Sequence, residues 1–108
     1  IEVLMTAASR PEETPARRWT FLSNHAHVLV GLTANPEARV RDLAVGIGIT
    51  ERGVQRILGE LEEEGLLSRS RDGRRNVYTL HLDQPLRHPL EAHRTVSELV
   101  HLFDGGDR

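Results

Sequence analysis

The sequence predicts a mainly α-helical fold carrying one small β-hairpin, in the order α-α-α-β-β followed by a C-terminal helix. Three observations carry that expectation. Between Asp42 and Leu66 two helical patterns meet across a short glycine turn. After Gly65 the apolar period changes from helical to alternating, on either side of the turn dipeptide Asp72-Gly73. Near the end of the chain, Ala92, Val96, Leu99, Val100 and Phe103 recur at helical spacing and make one apolar stripe.

In chain order, residues 1–18 read as a flexible N-terminal arm. Pro11 and Pro15 stand among Ser9, Arg10, Glu12, Glu13 and Thr14, which leaves little to bury. Met5 is a candidate start within it. Order is expected to begin at Trp19 and Phe21, which with Leu22 form an aromatic anchor. Ser23 or Asn24 can cap a first helix running through Ala26, Val28, Leu29, Val30 and Leu32, ended by Asn35-Pro36. Glu37 to Val40 has room for a very short strand that could pair with the later hairpin.

A second helix is expected over Arg41–Ile47, burying Leu43, Ala44 and Ile47, and a third over Thr50–Glu64, burying Val54, Ile57, Leu58 and Leu61. A helix pair meeting at a steep angle needs a small residue where the backbones approach and a permissive one in the turn. Ala44 and Gly48 stand at those places. Thr50 can cap the third helix, because its hydroxyl can accept from an unpaired first-turn amide, and Gly65 is a stop signal. The hairpin is predicted with a two-residue type I′ turn at Asp72-Gly73, which places Leu67 opposite Tyr78. Residues 83–108 are then a linker interrupted by Pro85 and Pro89 and a last helix from Leu90, ended by Asp104-Gly105-Gly106.

Ala44, Gly48, Val54 and Ile57 together resemble the helix-turn-helix pattern of DNA-binding regulators. Leu61-Glu62-Glu63-Glu64-Gly65-Leu66-Leu67 and the arginine-rich hairpin look like the winged version, as in the MarR and ArsR families, and the resemblance spans roughly Trp19 to Leu80. It implies a winged helix-turn-helix domain over residues 19–82 that binds double-stranded DNA, with the motif's first helix across the backbone and its second in the major groove. The chain departs from the ArsR metal sensors in having no cysteine, and it is short for a full MarR protein.

With Val54 turned to the core, Arg52, Gln55, Arg56 and Gly59 fall on the outward side of the third helix. Arginine can offer guanine two parallel donors and glutamine can pair with adenine in the same way, so these side chains are candidate base readers. Glu51 is a further candidate, either for cytosine or for the positive helix N-terminus. Arg69, Arg71, Arg74 and Arg75 load the hairpin with positive charge against Asp72 alone, which suits a wing gripping phosphates or the minor groove. Arg41 and Thr50, with Arg39 nearby, are candidate backbone contacts. Glu60, Glu62, Glu63 and Glu64 make the far end of the helix acidic, so its N-terminal half is the part expected to point into the groove. The plainer alternatives are a solvated face for Arg52 and Arg56 and a merely soluble hairpin.

Composition narrows the classes. At 108 residues and 38% apolar, the chain has one modest core. The formal net charge of −2 argues against a simple polyelectrolyte binder, so the distribution of charge has to carry any DNA binding. Its basic residues are all arginine. The absence of cysteine removes disulfides and thiolate metal sites, and no transmembrane run or signal-peptide pattern is present, so a cytoplasmic protein without membrane contact is expected. His81, His88, His93 and His101 show no ligand-pair spacing, and neither a phosphate-binding glycine loop nor a nucleophile-and-base pattern occurs. The expectation is a non-enzymatic, cofactor-free and metal-free transcriptional regulator, of the repressor class by resemblance, that binds DNA as a homodimer through Ala92, Val96, Leu99, Val100 and Phe103, the alternative for this last helix being to fold back on the first helix of its own chain. No small-molecule effector can be named from the sequence. Two other classes stay open, a protein-docking module of the same fold and a histidine-based metal-responsive regulator.

Overall fold

The computed structural model describes residues 19–104. The arm assigned to residues 1–18 and the glycines at 105 and 106 lie outside the described residues. The order of elements is α1 (Asn24–Ala34), α2 (Val40–Ile47), α3 (Glu51–Glu63), β1 (Leu67–Asp72), β2 (Arg75–Leu80) and α4 (Val96–His101). This is the mainly helical winged helix-turn-helix arrangement that the sequence predicts.

Ser23 decides the start of α1, its hydroxyl accepting from Ala26 N–H at 3.3 Å. The helix turns Val28, Leu29 and Leu32 into the core. Trp19 and Phe21 do not anchor it. They pack edge to face on each other, with ring centroids 5.0 Å apart, and remain 70% and 92% exposed. Among the described residues the two rings find their closest apolar neighbour in each other.

No strand forms at Glu37–Val40, and the sheet of the described residues is two-stranded. The backbone donors there are already used. Glu37 N–H donates to Asn35 Oδ1 at 3.1 Å, Ala38 N–H to the Asn35 carbonyl at 3.0 Å, and Arg39 N–H to Asp42 Oδ2 at 3.3 Å. Val40 is drawn into the first turn of α2 instead.

The motif turn forms as its residues dictate. Gly48 sits at φ 90°, a left-handed conformation that L side chains adopt only with strain, and the N–H groups of Gly48 and Ile49 both donate to the Ala44 carbonyl, at 2.8 and 3.1 Å. Thr50 then caps α3, its Oγ1 accepting from Gly53 N–H at 3.0 Å. Val54, Ile57, Leu58 and Leu61 bury one face of α3 against α1 and α2. At the far end Leu66 N–H donates to the Leu61 carbonyl at 2.9 Å and Gly65 N–H to Glu62 at 3.1 Å, a Schellman closure whose flanking residues, Leu61 and Leu66, are both buried.

The hairpin differs from expectation in register. Its two-residue loop is Gly73-Arg74, not Asp72-Gly73, so Leu67 pairs with Leu80 and Arg69 with Tyr78. Gly73 occupies the first loop position with φ 69°, and the shift places Leu67 and Leu80 together at the hairpin root.

The last helix is shorter than the stripe suggested. Residues 89–93 are turns flanked by bends, and Ala92 is exposed and outside any helix. Leu86 N–H donates to the Arg94 carbonyl at 2.8 Å and Pro85 bridges Thr95, which closes the intervening residues into turns that end at the cap. Thr95 then begins α4 with a reciprocal cap: Glu98 N–H donates to its hydroxyl at 3.1 Å, and Thr95 N–H donates to the Glu98 carboxylate at 2.9 Å. Val96 and Val100 are buried in the same core as α1, 7% and 1% exposed. The segment after residue 82 therefore completes the core of the segment before it. No helix among the described residues is long and apolar enough to cross a membrane.

Candidate nucleic-acid interface

The buried stripe of α3 leaves Arg52, Gln55 and Arg56 exposed on its other side. Arg52 and Gln55 make no side-chain bond among the described residues, whereas Arg56 Nη1 donates to Glu60 Oε2 at 3.1 Å, one turn along. Glu51, exposed in the first turn, lies 4.0 Å from Arg41 Nε of α2, a loose pair across the motif. Thr50 spends its acceptor on the helix cap, so only its O–H is left to offer a phosphate. Arg39, the residue before α2, is exposed and in no ion pair among the described residues.

The hairpin arginines divide into two pairs. Arg71 and Arg74 are exposed near the tip and in no ion pair among the described residues. Arg69 and Arg75 are engaged. Arg69 lies with its guanidinium 5.8 Å from the Tyr78 ring centroid and donates from Nη2 to Glu62 Oε1 at 3.1 Å. The observed register causes this, because it sets Arg69 directly across from Tyr78. Arg75 Nη1 stands 3.5 Å from Glu37 Oε1, tying the hairpin to the turn before α2.

Three of the four acids at the end of α3, Glu60, Glu62 and Glu64, have side-chain partners. Besides Arg69 on Glu62, Arg87 Nη2 donates to Glu64 Oε1 at 2.7 Å, and His25 Nε2 lies 2.6 Å from Glu60 Oε1. The helix is thus polarised, with Arg52, Gln55 and Arg56 exposed in its first half and, in its second, Glu60, Glu62 and Glu64 each beside a partner and Glu63 in no ion pair among the described residues. Sequence reasoning missed the part of His25, which is 35 positions from Glu60 and became its neighbour only when α1 packed on α3.

A family model described as MarR family matches residues 20–75, just over half of the chain, from before α1 through β1 to the first residue of β2. The chain belongs to the MarR family. No curated protein and no solved structure matches it. As a MarR-family domain the chain is a transcriptional regulator of a DNA-binding family.

The side chains expected to join two copies of this MarR-family chain are not equivalent. Val96 and Val100 are spent in the core of one chain and Ala92 lies off the helix, whereas Leu99 is half-buried and Phe103 is exposed. Leu90 and Leu102, which the stripe did not single out, are 80% and 75% exposed. The histidines stand apart: His81 Nε2 is 3.0 Å from Ser68 Oγ, His88 Nδ1 accepts from Leu90 N–H at 3.0 Å, and His101 Nδ1 donates to the Ser97 carbonyl at 2.7 Å. Among the described residues no three metal-capable side chains come together.

Proposed function

We propose that this MarR-family regulator reads duplex DNA sequence-specifically with the N-terminal half of α3, and that it represses transcription by occupying a promoter as a homodimer. The observation that carries this reading is the exposed row Arg52, Gln55 and Arg56, standing opposite the four buried residues of the same helix. Each of the three can make the bidentate base contact that the major groove rewards, and Glu51 at the helix start adds an acceptor for cytosine. Arg71 and Arg74 at the wing tip, with Arg39, Arg41 and the Thr50 hydroxyl beside the motif, are the phosphate contacts. Arg69 and Arg75 serve the wing from behind, by holding its root and its flank.

The homodimer reading rests on exposed apolar side chains at the ends of the described chain. Trp19, Phe21, Leu90, Leu102 and Phe103 would gain most from a second copy, with Leu99 at the edge of that surface. A twofold dimer would present two α3 helices to half-sites about one DNA turn apart. No catalytic step or cofactor enters this mechanism.

The test is selection of bound duplexes from a randomised library, followed by affinity measurements on the enriched sequence. Arg52→Ala and Arg56→Ala should each weaken the enriched duplex by about 1–3 kcal/mol and relax preference at one base pair. Unchanged discrimination in both variants would overturn the base-reading assignment. If no sequence is enriched at all, the same fold is acting as a docking module, with the exposed apolar side chains as its contact surface.

A further inference from the structure

Glu60 is the one acidic side chain of α3 that touches a proposed reader. Its two oxygens are divided: Oε2 accepts from Arg56 Nη1 at 3.1 Å, and Oε1 faces His25 Nε2 at 2.6 Å. Three elements of chemistry are therefore joined in a row, from the scaffold helix α1 through a carboxylate to the guanidinium on the exposed face of α3. We propose that Glu60, held by His25, is a positioning residue that sets the Arg56 guanidinium for base recognition and so contributes to sequence discrimination. The inference rests on the reading of Arg56 as a base contact.

Guanidinium geometry allows both tasks at once. Arginine has N–H donors on two edges of a rigid plane, and the bond to Glu60 uses Nη1. The edge carrying Nε and Nη2 remains free to present two parallel donors to the O6 and N7 acceptors of guanine. An unsupported arginine has to give up the freedom of a long side chain on binding, whereas one already fixed in plane and direction loses less. Glu60 is suited to the role because it stays ionised at neutral pH. Its carboxyl is held below the usual carboxylate range, chiefly by the His25 hydrogen bond, with partial desolvation opposing and Arg56 adding to the effect.

His25 supplies what a free surface glutamate lacks. A solvated i, i+4 pair samples many rotamers and adds little order by itself. With one oxygen tied to α1, Glu60 can move only as far as the packing of α1 on α3 allows, and it passes that restraint to Arg56. The same bond directs the carboxylate toward the protein, away from where the phosphates would lie.

The experiment is a double-mutant cycle on the duplex enriched from a randomised library by the wild-type protein, together with versions of that duplex changed at each base pair in turn. Glu60→Ala is expected to reduce discrimination roughly two- to tenfold at the base pair where Arg56→Ala loses it, and nowhere else. The effect should vanish in the Arg56→Ala background, and His25→Ala should give a weaker change at the same base pair. Thermal unfolding of each variant separates this from loss of fold, which would weaken all duplexes alike. Additive losses from Glu60→Ala and Arg56→Ala, or an unchanged preference with tighter binding to every duplex, would overturn the proposal while leaving Arg56 as a reader. Unchanged discrimination in Arg56→Ala alone would instead remove the reading on which it rests.

Discussion

Two glycines of the motif should respond to alanine with opposite sign, although an added methyl meets no atom within 4 Å at either position. Gly59 lies inside α3 on its outward side, with ordinary helical backbone, so its substitution tests intrinsic helix propensity alone. Alanine there should stabilise the fold by about 0.5–1 kcal/mol, since glycine in a helix interior loses more backbone entropy on folding. Gly48 closes α2 at φ 90°, where a Cβ strains against the backbone whatever space surrounds it. Holding alanine in the left-handed region costs about 1–2 kcal/mol, offset by roughly 0.4–1 kcal/mol of reduced freedom in the unfolded chain. The net expectation is a loss near 1 kcal/mol. For a domain of this size, about 4–8 °C of melting temperature accompanies each kcal/mol, so Gly59→Ala should melt roughly 2–8 °C higher and Gly48→Ala roughly 4–8 °C lower. Far-UV circular dichroism with heating, checked by urea titration at constant m-value, measures both. A Gly59→Ala protein no more stable than wild type, or a neutral Gly48→Ala, would refute the separation of propensity from backbone strain on which these numbers depend.

Other consequences concern the wing, the core and pH. Replacing Arg71 and Arg74 together with alanine should weaken binding to all duplexes and flatten the salt dependence by about 0.9 per lost phosphate contact, measured by anisotropy across salt concentrations; an unchanged slope would remove them from the interface. Val100→Ala should cost roughly 2 kcal/mol by urea unfolding, because it empties space between α1 and α4, whereas Phe103→Asp should leave the fold intact and lower self-association in sedimentation equilibrium. Glu98 accepts from Thr95 N–H, the larger effect, and from Arg94, and its carboxyl is held below the ordinary value. Its cap therefore supports α4 fully above the unfolded glutamate pKa and is lost as pH falls through the lower folded value; an NMR titration of Glu98 with an ordinary midpoint would contradict this.

What the sequence by itself determined was whatever depends on neighbours a few positions apart. The helical period of Val54, Ile57, Leu58 and Leu61, the hydroxyl of Thr50 one residue ahead of them and the glycine at position 48 specify the motif through backbone geometry and local hydrogen bonds, which act within one or two turns. The exposed face of Arg52, Gln55 and Arg56 follows from the same period. The hairpin register was beyond that reach for a definite reason: moving the partner strand by two residues returns every side chain to the face it had, so alternation is blind to the choice. Only the meeting of Leu67 with Leu80 against the helices decides it, and with it the engagement of Arg69 by Tyr78 and Glu62. The start of the last helix was settled in a similar way. Ala92 fits the apolar stripe, yet the pairing of Leu86 with Arg94 closes the chain around it into turns, and the cap at Thr95 delays the helix to Val96. Val96 and Val100 fit both a partner helix and α1, since an apolar stripe records that burial occurs and not against what. Tertiary packing assigned them to α1, and by bringing that helix onto α3 it also made neighbours of His25 and Glu60, a contact between residues 35 apart that no local pattern encodes.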